Sequence, residues 1–126
     1  MGVLEHLRRR KSSTPRQRSG DAAEDRALAY LRERGLTLVE RNFNCKSGEI
    51  DLIMRCAATL VFVEVRSRSS TTFGDAATSI TRGKQTRLRR AAQIYLQRQR
   101  HPPPCRFDVV AIDGAVITWL QNAIDS

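Results

Sequence analysis

Three charged side chains interrupt the most core-like stretch of the chain, Gly48 to Arg68, which reads GEIDLIMRCAATLVFVEVRSR. Asp51 stands among Ile50, Leu52 and Ile53, and Glu64 and Arg66 stand among Phe62, Val63 and Val65. Side chains alternate faces along a strand with period two. If Gly48–Arg55 and Leu60–Arg66 are neighbouring strands, Glu49, Asp51 and Ile53 share one face and Ile50, Leu52 and Met54 the other. Phe62, Glu64 and Arg66 separate in the same way from Val61, Val63 and Val65, which leaves an apolar set for the core. A loop centred near Ala57 and Ala58 then puts Asp51 almost opposite Glu64, on the same face. Carboxylates directly across a strand pair repel each other. A divalent cation between them turns that repulsion into binding, because Mg²⁺ takes one or two carboxylates and keeps its other positions for water and substrate phosphate. Arg66 adds a fixed positive charge beside Glu64. The same pattern also suits a solvated hairpin face with weak ion pairs, Glu64 to Arg66 among them, and spacing alone leaves both readings open.

The elements that must position these groups are legible on either side. Ala23, Ala27, Tyr30 and Leu31 follow helical spacing across Asp21–Arg34, and Gly35 is a natural stop. Asp21 and Glu24, three apart at the expected start, match a capping box. The alternative for Glu24 is a third carboxylate reaching toward the acidic pair. Leu36–Phe43 alternates loosely and predicts the first strand, with Arg41 and Asn42 at its end. Ser67–Ser79 is rich in Ser, Thr and Gly and predicts a connection, placed after the acidic pair so that its backbone donors can also meet a phosphate. Gly83–Arg100 predicts a second helix with Leu88, Ala91, Ala92 and Tyr95 on one face, ended by Pro102–Pro104. Arg106–Ile112 and Ala115–Leu120, separated by Asp113-Gly114, predict a hairpin. Asp108 within it is expected to pair with Arg106 or another base, and Trp119 to be a core or edge aromatic. The resulting order is helix, three strands, helix, two strands, an α/β fold with a mixed sheet flanked by helices.

At 126 residues the chain suffices for one domain with its own core. We expect a basic arm over residues 1–18, the domain over 19–120 and a short tail over 121–126. The net charge of +9 points to a polyanionic partner, nucleic acid before an acidic membrane surface. The arm holds Arg8, Arg9, Arg10, Lys11, Arg16 and Arg18 against the single acid Glu5. It is either a source of salt-sensitive phosphate contacts or a solubilising tail. Between Arg82 and Arg100 there are seven basic residues and no acid. A self-contained solvated helix would interleave signs to gain i,i+4 pairs, so this one favours phosphate tracking by Lys84, Arg87 and Arg90. Cys45, Cys56 and Cys105 form no CxxC pair and predict free thiols and no zinc site. The longest apolar run is far too short to span a membrane, and the start lacks a signal-peptide pattern, so a cytoplasmic location is expected.

Five segments in this order, GDAAEDRALAYLRERG, ERNFNCKSGEIDLI, LVFVEVRSR, FGDAATSITRGKQTRL and CRFDVVAI, resemble the bacterial YraN family. That family is similar to the restriction-endonuclease-like, or PD-(D/E)xK, nucleases, archaeal Holliday-junction resolvases among them. The resemblance runs from Gly20 to about Ile112. It implies a restriction-endonuclease-like fold in which Asp51 matches the central Asp, Glu64 the acidic residue of the (D/E)xK segment, and Glu24 an assisting first-helix Glu. Asp51, Glu64 and Glu24 would then hold Mg²⁺ or Mn²⁺ for phosphodiester hydrolysis. Arg66 stands where the pattern has Lys. Arginine stays protonated, so it can clamp a phosphate oxygen but cannot act as a base. The expected activity is a metal-dependent endonuclease on structured or branched DNA, with Arg66, Arg68, Lys84, Arg87 and Arg90 on the nucleic acid. DNA is expected before RNA, shape before sequence because no base-reading module is evident, and a dimer if two strands are cut symmetrically. The alternative is a non-catalytic nucleic-acid-binding module of a repair or RNA-processing assembly.

Overall fold

The computed structural model describes residues 15–68 and 80–124, with side chains from residue 21 onward and, in the first stretch, up to residue 67. The basic arm up to residue 14 and the loop over 69–79 lie outside the described residues. The elements are α1 (Pro15–Glu33), β1 (Thr37–Cys45), β2 (Gly48–Cys56), β3 (Thr59–Arg68), α2 (Arg82–Leu96), β4 (Cys105–Asp113) and β5 (Val116–Leu120). This is the expected α/β order. The five strands run β1-β2-β3-β4-β5 across one sheet. All neighbours are antiparallel except β3 and β4, which are parallel. A parallel pair needs a long crossover, and α2 lies within it.

The two helices cover opposite faces. Ala23, Ala27, Leu28 and Leu31 of α1 pack with Leu52, Met54, Val61, Val63, Val110 and Ile112. Leu88, Ala91, Ala92 and Tyr95 of α2 pack with Ile53, Leu60, Phe62, Phe107 and Val109. The central strand β3 is therefore buried on both sides, and Glu64 has no solvated face to occupy. Each helix begins or ends for a local reason. After α1, Gly35 adopts φ 95° and the Leu36 N–H reaches the Leu31 carbonyl at 3.1 Å, the closing bond of a glycine C-cap. Thr81 caps α2 by accepting from the Lys84 N–H at 3.1 Å.

Several boundaries differ from the sequence reading. Because α1 starts at Pro15, Asp21 and Glu24 lie inside the helix and form no capping box. α2 stops at Leu96, where its apolar face ends, since the residues from Gln97 to Arg100 offer nothing to bury. Beyond β5 the chain keeps packing. The Ala123 N–H bonds the Phe107 carbonyl at 2.8 Å, and Ile124 is buried under α2's face of the sheet.

Asp108 joins β4 to the C-terminal segment. Its fully buried carboxylate accepts from Arg106 Nε at 3.1 and 3.2 Å, Trp119 Nε1 at 2.9 Å and the Asn122 N–H at 2.8 Å. It is thus a satisfied structural group, as its pairing with Arg106 led us to expect. Removing it strands three donors. Asp108→Ala should cost about 3 kcal/mol of folding stability, measured by urea denaturation, and a loss below about 0.5 kcal/mol would show that the network is not structural.

Candidate active site

The acidic site forms where two strands part. The β2–β3 ladder runs from Cys56↔Thr59 to Leu52↔Val63 and stops, while β3 continues beside β4 as far as Arg68↔Asp113. Continuing the register by one step sets Asp51 against Glu64, as the loop position predicted. At that step a side chain replaces the backbone acceptor: Asp51 Oδ2 takes the Val65 N–H at 2.8 Å. The β1–β2 pairing also skips Asn42 and Asp51, and Asn42 has the left-handed φ of 55°.

Alternation fails at the same point. Ile50 and Ile53, three apart, both pack on the α2 side, whereas Leu52 and Met54 pack on the α1 side. The expected grouping of Ile50 with Leu52 and Met54 is therefore corrected. Asn42 has a left-handed backbone, Asn42 and Asp51 are left unpaired, and Asp51 stands where the strand changes face. Period-two reasoning assumes a regular ladder on both sides, and here neither ladder is regular.

Glu64 follows Phe62 on the α2 side and is only 3 % exposed. Lys84 Nζ, from the first turn of α2, lies 2.7 Å from Glu64 Oε2. The contact is an ion pair off the line of a hydrogen bond, so that buried oxygen has no aligned donor. Burial, then the Glu64 carboxylate, push Asp51 up to about 8, with Glu24 and Glu49 adding to the rise and the Val65 N–H opposing it. Four carboxylates therefore share one electrostatic neighbourhood, with Asp51 at its centre.

Glu24 reaches this neighbourhood from α1, but its charge is already engaged. Arg41 Nε lies 3.4 Å from Glu24 Oε1, and Arg41 Nη2 lies 2.6 Å from Asp25 Oδ1. With its amide turned so that nitrogen faces Glu24, Asn42 donates to both carboxylate oxygens at 3.1 and 3.3 Å. Burial nevertheless raises the Glu24 pKa, against the lowering by Arg41. Sequence reasoning placed Arg41 and Asn42 near the pair without assigning them to Glu24. The signal was present in their position, in the strand that packs against Glu24's helix.

A cleft of about 330 Å³ opens beside the site, lined by the turn from Asn44 to Glu49 and by Glu64, Lys84, Arg87 and Leu88. Gly48 is required for its wall. A Cβ there would sit 2.7 Å from the Arg87 carbonyl oxygen, so only glycine lets the start of β2 lie against α2. Arg82, Arg87 and Arg90 are exposed on α2. Arg66 is half-buried on β3, opposite Ala111. Arg68 is opposite Asp113 at the strand's end, and its side chain lies outside the described residues. Arg98, one of the seven basic residues, instead stacks on Phe43 with its guanidinium 4.8 Å from the ring centre and pairs with Glu40 at 3.8 Å. The three cysteines are free.

Among the described residues no three His, Cys, Asp or Glu side chains form a ready-made metal cage. Mg²⁺ and Mn²⁺ do not require one, since Mg²⁺ is commonly held by one or two carboxylates with water and phosphate completing its shell. The donor set fits such an ion. Asp51 and Glu64 supply hard oxygens, Glu64 Oε2 lacks an aligned donor, and their mutual repulsion is what a dication would relieve.

A model of the uncharacterised protein family UPF0102 matches residues 23–112. The chain is 60% identical over 113 residues to a UPF0102 protein of Janthinobacterium sp. (strain Marseille), covering 90% of this chain and 92% of that one. It is 56% identical over 117 residues to one from Herminiimonas arsenicoxydans, covering 93% and 94%. To one from Cupriavidus metallidurans it is 61% identical over 115 residues, covering 90% and 84%.

The raised Asp51 pKa makes this carboxylate a stability liability. Between its ordinary 3.8 and about 8 the folded state keeps a proton that the unfolded chain has lost, so stability falls as pH rises through that window. Asp51→Asn keeps an acceptor for the Val65 N–H and removes the titration. Its melting temperature should match wild type below pH 4 and exceed it by about 5 °C at pH 8. A variant that melts lower than wild type at pH 8 would contradict the burial and repulsion described.

Proposed function

The chain belongs to UPF0102, the YraN family, and we propose that in it the Asp51–Glu64 fork hydrolyses phosphodiester bonds with a divalent cation, as an endonuclease on structured or branched DNA. The observation that carries this reading is the pair itself: two carboxylates set against each other at the parting of β2 and β3, Glu64 buried and Asp51 half-buried, with one lysine, on Glu64, as counter-charge. Such a pair is costly to fold around, and a cation offsets that cost. The sheet order and the positions of Asp51, Glu64 and Glu24 also agree with the likeness of the YraN family to restriction-endonuclease-like nucleases.

Asp51 and Glu64 would hold the ion, which when bound would acidify a water and neutralise charge on the scissile phosphate. The chain's own groups do the rest. The Val65 N–H fixes one oxygen of Asp51 and so orients the other. Arg41 and Asn42 hold Glu24 in place behind Asp51, where its negative charge strengthens the hold of the site on a cation. Arg66 cannot remove a proton, and its role is to clamp a nonbridging phosphate oxygen. Arg87 and Arg90, exposed on one side of α2, track the backbone, and we assign Arg68, at the end of β3 in sequence, a further phosphate contact.

We read DNA before RNA because of the likeness of the YraN family to DNA-cutting nucleases, and shape before sequence because these contacts address phosphates. Symmetric cutting of a junction would need a homodimer. Among the described residues no helix is long and apolar enough to cross a membrane, and we place the protein in the cytoplasm with its nucleic-acid substrate. A non-catalytic binding module is the rival reading, favoured by Arg66 in the lysine position.

Cleavage separates the two. A labelled four-way junction and a matched linear duplex should be incubated with Mg²⁺, Mn²⁺ or EDTA, beside an Asp51→Ala, Glu64→Ala double variant. We expect metal-dependent cuts on the junction that fall by at least about 100-fold in the variant, the scale of losing a charge-stabilising group. Tight, salt-sensitive binding with no cuts under either metal would establish the binding module instead.

A further inference from the structure

We propose that Lys84 is a displaceable counter-ion of Glu64: a divalent cation binding at the fork releases its ammonium into the adjoining cleft, where it takes up a phosphate group of the nucleic acid. This rests on the reading of Asp51 and Glu64 as a cation site. It assigns Lys84 a role different from simple phosphate tracking along α2.

Glu64 is nearly inaccessible, and a buried carboxylate needs an opposite charge. Lys84 supplies one at 2.7 Å, yet without the alignment of a hydrogen bond. The pair is therefore a close ion pair with a single partner, unlike Asp108 with its three aligned donor groups. The two partners also differ in freedom. The Glu64 side chain is 4 % exposed, whereas that of Lys84 is 39 % exposed. The backbone of Lys84 is anchored, because its N–H is bonded to Thr81 Oγ1 at the helix start. Its stem can thus swing without moving α2.

One carboxylate cannot neutralise an ammonium and a dication at once, and two cations on the same oxygen repel. A dication that takes Glu64 Oε2, the oxygen Lys84 contacts, therefore drives the ammonium off it. The cleft gives it a destination, since Lys84, Lys46 and Arg87 all line it. Freed from Glu64, the Lys84 ammonium joins Lys46 and Arg87 around an opening that Glu49 also lines, and the positive charge available to a phosphate rises when the metal binds. Cation and phosphate then reinforce each other's binding by the same factor.

Calorimetric titration with Mn²⁺ alone tests this on wild type and on Lys84→Met and Lys84→Arg. Without the competing ammonium, Lys84→Met should bind Mn²⁺ about tenfold more tightly than wild type, within the 5- to 150-fold range of such couplings. Lys84→Arg, which keeps the charge, should stay within about threefold of wild type. Should Lys84→Met fail to fold, the wild type carries the test through the ¹⁵N resonance of its Lys84 ammonium during a Mg²⁺ titration. That resonance should move with the same midpoint as Mg²⁺ binding. Mn²⁺ affinity in Lys84→Met that equals or falls below wild type, or a Lys84 resonance unmoved while Mg²⁺ binds, overturns the counter-ion role and leaves the cation site standing. No Mn²⁺ binding to wild type overturns both.

Discussion

The structure turns on the repulsion between Asp51 and Glu64. Folding brings two carboxylates together in a place from which water is largely withdrawn, and nearly every irregularity nearby answers to that. Burial and the facing Glu64 lift Asp51 to about 8. The Val65 N–H is diverted from the ladder to an Asp51 oxygen, and Lys84 is drawn from α2 onto Glu64. Arg41 is drawn onto Glu24. A protein needing only a stable sheet would place an apolar pair at this step, which is often neutral or better for stability. The persistence of charge here is what a functional site looks like when it is set against its own scaffold.

The fold makes the fork possible because β3 is central and β2 is not. β3 gains its pairing from β4 on the far side, so it stays extended after β2 has left it. Its two faces are closed by different helices, which lets Glu64 be buried against α2 while α1 brings Glu24 from the opposite face. The parallel crossover delivers the positive N-terminal turn of α2, with Lys84 and Arg87, to the same end of the sheet. Gly48 lets the β1–β2 turn close on that helix without a side chain between them.

Much of this was legible in the residues. Element order, the β2–β3 register and the helix faces followed from periodicity, and the Asp113-Gly114 turn, with Gly114 at φ 60°, from turn chemistry. Three features were not, each for a physical reason. The reversal of faces at Asp51 coincides with a left-handed Asn42 in the neighbouring strand, and strand periodicity carries no information about a partner's backbone. The capping alternative for Glu24 failed because Asp21 and Glu24 imitate a capping box although α1 begins at Pro15. Lys84 was read as one member of a basic helix, since charge counting cannot tell a lysine facing solvent from one drawn onto a buried acid across the sheet.

The most direct test of the Asp51–Glu64 site is crystallographic. Crystals soaked in Mn²⁺ and measured at a wavelength where manganese scatters anomalously locate the ion without reference to any activity. The account predicts one strong peak within coordination distance of carboxylate oxygens of both Asp51 and Glu64. A peak elsewhere, or none at the fork with the Lys84 ammonium still against Glu64, would contradict it.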